Sequence, residues 1–120
     1  MKKNQKAVLG ELLAELKAVL MQEGESALTD NEDWTFYTNE EEQLDLHTVG
    51  LIADPVDVDE EEWEEILPDI AVENDLLNPI SAELIDNVLI NALHQSPVIS
   101  EKMLIKALNY YIENDDFMKL

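Results

Sequence analysis

The chain has 120 residues and contains no cysteine and no arginine. Without cysteine there is no disulfide, no thiolate nucleophile and no thiolate metal site. Without arginine the chain lacks the planar fork that best grips carboxylates and phosphates, which argues against phosphoryl transfer and nucleotide binding. The basic residues are lysines only: Lys2, Lys3, Lys6, Lys17, Lys102, Lys106 and Lys119. None lies between Lys17 and Lys102, so positive charge belongs to the two ends of the chain. The three glycines, Gly10, Gly24 and Gly50, are scattered and make no phosphate-cradling loop. No apolar run approaches the roughly 18 to 20 residues of a membrane span. Met1-Lys2-Lys3 resembles the start of a signal peptide, but Glu11, Glu15 and Lys17 interrupt the apolar residues behind it. A cytoplasmic protein is expected, and the lack of cysteine agrees with a reducing compartment.

What the chain has in excess is acid. It carries 28 acidic residues and a formal net charge of −21. Such self-repulsion favours solubility and works against compactness. It argues against direct contact with nucleic acid, whose phosphates need cations to displace their counterions. An anionic membrane is disfavoured for the same reason. Yet 46% of the residues are apolar, enough to build a core. The length suits one domain, residues 1–120.

Periodicity places the elements. Val8, Leu9, Leu12, Leu13, Leu16, Val19 and Leu20 form one helical stripe, predicting a helix over about residues 4–23 with Gly24 as its C-terminal cap. Trp34-Thr35-Phe36-Tyr37-Thr38 is aromatic and β-branched, which predicts a strand. Leu44, Leu46 and the segment Thr48 to Ala53 predict one or two more, ended by Asp54-Pro55. Asp59 with Glu62 three residues on predicts the start of a short helix, with Trp63, Ile66 and Leu67 as its apolar face. Residues 69–80 carry no clear period. Ser81 caps a helix whose stripe is Leu84, Ile85, Val88, Leu89, Ala92 and Leu93. Ser96-Pro97 breaks it. Ser100 caps a second, with Met103, Leu104, Ala107, Leu108, Tyr111 and Ile112. The short connection makes the two a helical hairpin. The expected fold class is α+β and mostly helical. The N-terminal helix and the C-terminal hairpin pack with a small antiparallel sheet.

Catalytic patterns are lacking. His47 and His94 stand in no metal-ligand spacing. His94 ends a helix, where an imidazole suits the dipole. The acids from Asp54 to Glu62 enclose Pro55 and no glycine, unlike a calcium loop. No metal, cofactor or enzymatic activity is expected. The main signal is the cluster Asp57, Asp59, Glu60, Glu61, Glu62, Glu64 and Glu65 around Trp63. Its plainer reading is a solvated helix face with Trp63 in the core. The functional reading is a binding surface in which carboxylates steer a cationic partner and the indole anchors it. Glu40, Glu41 and Glu42 form a second candidate patch.

The C-terminal half carries a resemblance. Ile85-Asp86-Asn87-Val88, Asn91-Ala92-Leu93-His94-Gln95, Ala107-Leu108-Asn109-Tyr110-Tyr111 and Asp115-Asp116-Phe117 together resemble the immunity proteins of bacterial contact-dependent growth inhibition. The segment Asp33-Trp34-Thr35-Phe36-Tyr37 and the acidic run to Pro68 are compatible with that group. The resemblance implies a cytoplasmic inhibitor that binds a toxin domain delivered by a neighbouring cell. Many such toxins are basic nucleases that act on transfer RNA. A monomer in a one-to-one complex with a basic ribonuclease toxin is therefore expected. Two other classes stay open at this point. An acidic nucleic-acid mimic needs carboxylates in rows along a rod. A carboxylate-based enzyme or metal protein needs a pocket in which acids of raised pKa converge.

Overall fold

The computed structural model describes residues 3–39 and 43–120. Glu40, Glu41 and Glu42, the second candidate patch, lie outside the described residues. The fold is α+β, with helices packed on a small antiparallel sheet, as the periodicity predicts.

The chain opens with a strand rather than a helix. β1 (Gln5–Val8) precedes α1 (Leu9–Glu23), so the expected helix over residues 4–23 begins five residues late. β1 pairs antiparallel with β3 (Val49–Ala53), Gln5 opposite Ile52 and Val8 opposite Val49. Val8, assigned above to the helical stripe, sits in the strand. The first turn of a helix leaves its N–H groups unpaired unless something accepts from them. No side chain caps α1. Instead the Leu9 N–H donates to the Thr48 carbonyl at 2.8 Å and the Gly10 N–H to the Leu46 carbonyl at 3.1 Å. That approach requires glycine, because a Cβ at position 10 would stand 2.7 Å from the Leu46 oxygen. Gly24 closes α1 as expected, with a φ of 91° and its N–H on the Leu20 carbonyl. A short helix α2 (Glu25–Thr29) follows.

β2 (Thr35–Thr38) lies between β3 and β6 (Asn78–Ser81), giving the order β1-β3-β2-β6 with every pair antiparallel. Successive side chains on a strand point to opposite faces. Phe36 pairs with Ile52 and Ile80 on the face that meets the large helical core. Tyr37 and Leu51 pair on the other face, in a smaller core with Ala53 and Ala71. All four residues of β2 are buried because both faces are covered. The period-free segment 69–80 holds α3 (Asp69–Glu73), which supplies Ala71 to that second core, and edge strand β6. Pro79 is tolerated there because an edge strand leaves one side of its backbone unpaired.

α4 (Ala82–Gln95) and α5 (Glu101–Asn114) are the predicted helical pair. Ser81 and Ser100 cap them, accepting from the N–H groups of Leu84 and Met103, each at 3.2 Å. Ile85, Val88, Leu89, Ala92, Leu104, Ala107 and Leu108 are buried as their spacing predicts. Ile112 is exposed instead. The Lys17 ammonium of α1 donates to the Ile99 carbonyl and lies 4.0 Å from Glu101, tying α1 to the start of α5.

Leu44 and Leu46 form no strand. Leu44 is buried in a connection, where the Asn109 side chain of α5 accepts from its N–H and donates to its carbonyl, both at 2.9 Å.

Candidate functional site

The acidic cluster is not on a helix. Asp57–Val58 (β4) and Glu65–Ile66 (β5) pair as a two-stranded hairpin, Asp57 opposite Ile66 and Val58 opposite Glu65. Residues 59–64 make its turn. Asp59 organises that turn in a way that replaces the expected helix cap. Its carboxylate accepts from the Glu61 N–H at 2.9 Å, two residues on, which is an Asx turn. Its carbonyl accepts from the Trp63 N–H, and its own N–H donates to the Glu64 carbonyl. The physical reason is charge. Seven of the ten residues from Asp57 to Ile66 are acidic, and like charges three or four apart destabilise a helix.

The hairpin also exposes what the helix would have buried. Trp63 is 80% exposed and Ile66 is 50% exposed, so the expected apolar face does not form. Only Leu67 reaches the second core. Trp63 has a φ of 57°, a left-handed conformation that costs a non-glycine residue roughly 1 kcal/mol. Asp57, Glu60, Glu61, Glu62, Glu64 and Glu65 are exposed and Asp59 is half-buried. The structure thus brings one predicted patch together around an indole in water.

The histidines stand apart from it. His94 places Nε2 3.0 Å from the Glu25 carboxylate, joining the end of α4 to the start of α2. His47 is exposed in the turn before β3. Among the described residues no three His, Asp or Glu side chains converge closely enough to hold a metal ion. No helix among them is long and apolar enough to cross a membrane.

A second feature escaped the sequence reading. Asp86 on α4 is 1% exposed. Among the described residues no donor reaches either of its carboxyl oxygens, nor Oε2 of Glu32 in the loop before β2. Two adjacent carboxylates cannot both stay charged in such a place, and one shared proton makes them partners. Burial first, and the Glu32 carboxyl second, push Asp86 up to about 8. The signal was in the helical phase. Asp86 stands four residues after Ala82 and three before Leu89, on the buried stripe of α4.

Asp86 also lines a half-open cavity of about 320 Å³ bounded by α1, α2, the loop after α2, β3 and α4. Leu16, Val19, Leu28, Trp34 and Ile52 supply its apolar wall. Lys3 stands at the cavity with its ammonium held by Asp33 at 3.2 Å and Asp54 at 2.8 Å. Among the described residues that line it there is no hydroxyl, thiol or imidazole.

Residues 13–120 match a family described as a domain of unknown function, DUF7716, and the chain belongs to that family. No curated protein and no solved structure matches the chain.

Proposed function

We infer that this domain binds and neutralises a basic partner protein through the β4–β5 hairpin. The observation that carries the reading is Trp63, 80% exposed in a left-handed backbone and ringed by acidic side chains. An indole left in water offers roughly 150–250 Å² of surface to bury on docking. Tryptophan is among the residues that most often dominate interface energy. The surrounding carboxylates would steer a cationic partner toward it and suppress acidic competitors. Gathering the acids on one turn supports a single complementary patch rather than rows of phosphate-like charges.

The partner class rests on the resemblance of the α4 and α5 sequences to immunity proteins of contact-dependent growth inhibition. On that reading the partner is a toxin domain, a basic ribonuclease, met one-to-one in the cytoplasm. The hairpin covers its cationic substrate groove or a surface beside it. The test is co-expression with the product of the open reading frame immediately upstream of this gene. Growth arrest by that product alone, relieved by this chain and not by its Trp63→Ala variant, is the expected result. A product that is harmless alone, or equally toxic in the presence of this chain, overturns the reading.

A further inference from the structure

We propose that the cavity beside Asp86 is a binding site for a small primary ammonium carried on an apolar body, an alkylamine. Three observations converge on that chemistry. The cavity is about 320 Å³, at the lower end of the range for small-molecule sites. One wall is apolar, built from Leu16, Val19, Leu28, Trp34 and Ile52, and takes an alkyl chain. The opposite need is set by Asp86, a side chain 1% exposed whose oxygens accept no hydrogen bond from the described residues. Sharing a proton with Glu32 satisfies one oxygen of Asp86 and leaves the other wanting a donor. A primary ammonium has three donors and no acceptor, so it meets a carboxyl and gains nothing from an apolar wall.

Charge around the cavity selects the same ligand. Glu15 and Glu23 from α1, Asp33 from the following loop and Asp86 from α4 line it, against the single ammonium of Lys3. Lys3 is itself held by Asp33 and Asp54, which keeps its charge occupied at the rim. An anionic ligand would be repelled by these acids. A neutral alcohol offers one donor and no charge.

The proton shared by Asp86 and Glu32 gives the site a signature. An arriving ammonium stabilises the ionised pair, so binding expels that proton. An alkylammonium stays protonated to about pH 10, as lysine does. Affinity therefore rises with pH while the pair remains protonated in the empty site. The other titratable groups that line the cavity are Glu15 and Glu23 from α1, Asp33 from the loop after α2, and Lys3.

The experiment uses the full chain carrying Trp63→Phe, which leaves Trp34 in the cavity wall as the only tryptophan. Butylamine is titrated at about 0.15 M salt, where surface attraction is screened. Butanol and butyrate are the uncharged and anionic counterparts. Trp34 fluorescence and the amide resonances of Leu16, Leu28, Trp34 and Asp86 report occupancy. The expected result is saturable butylamine binding, about tenfold tighter than butanol, tightening from about pH 7 to pH 9 with proton release in calorimetry. Asp86→Asn, close in shape and free of the buried acid, is expected to keep the fold and lose that preference. Butylamine shifts confined to the hairpin acids, equal binding of butanol, or an unchanged Asp86→Asn variant each overturns the proposal.

Discussion

Asn109 binds Leu44 as a neighbouring strand would: its amide oxygen accepts from the Leu44 N–H and its amide nitrogen donates to the Leu44 carbonyl, both at 2.9 Å. A single side chain on α5 thus satisfies a buried backbone that has left the sheet. Leaving two buried polar groups without partners is costly. Asn109→Ala should lower stability by roughly 1–3 kcal/mol in urea unfolding. Asn109→Asp, which keeps the acceptor and loses the donor, should destabilise less at low pH than at neutral pH.

The Asp86 carboxyl makes folding an uptake of protons. The group is raised above its unfolded value of 3.8, to about 8. Below the unfolded value both states are protonated and the site costs nothing. As pH climbs toward the folded value, the unfolded chain ionises while the folded one does not, and stability falls. Asp86→Asn removes this loss. Its advantage over the wild type should be small near pH 4 and grow to roughly a few kcal/mol by pH 8. A pH series of chemical unfolding midpoints measures it, and a variant that gains nothing with pH contradicts the shared proton.

Gly10 is a helix position where alanine should harm. In an exposed helix the change favours the helix by roughly 1 kcal/mol. Here the new Cβ would stand 2.7 Å from the Leu46 carbonyl that accepts from the Gly10 N–H. Gly10→Ala should therefore lower the thermal midpoint, and a raised midpoint would show that Leu46 moves freely.

Trp63 should separate stability from binding. It touches little of the core, so Trp63→Ala should change unfolding free energy by no more than about 0.5 kcal/mol. Trp63→Gly should stabilise slightly by relieving the left-handed backbone. Under the proposed function, either change should weaken capture of the basic partner by at least roughly tenfold.

Under the proposed function, Glu61, Glu62 and Glu65 act at longer range. Reversing all three to lysine should slow association with the basic partner and flatten its dependence on salt, as stopped-flow kinetics would show. Unchanged rates would assign the interface to another face.

The sequence showed the parts of the fold whose signals are local. Ser81 and Ser100 announce α4 and α5, and Gly24 announces the end of α1, because a cap is read within one turn. β1 was hidden because its partner β3 lies more than forty residues away and Val8 happens to continue the stripe of α1. β6 was hidden by Pro79, which is informative only once its edge position is known. At the candidate site the cluster was visible as composition, while its shape was not. The cap pattern of Asp59 and Glu62 fits a helix, but crowded charge and the Asx turn at Asp59 give a hairpin. Asp86 is legible by its helical phase, but composition makes it one acid among 28.

β4 and β5 pair only with each other among the described strands, and Pro55 and Pro68 bracket them. Their exposed residues therefore contribute almost nothing to the two cores. A lineage can rewrite the turn from Asp59 to Glu64 while the scaffold beneath stays under its own separate selection.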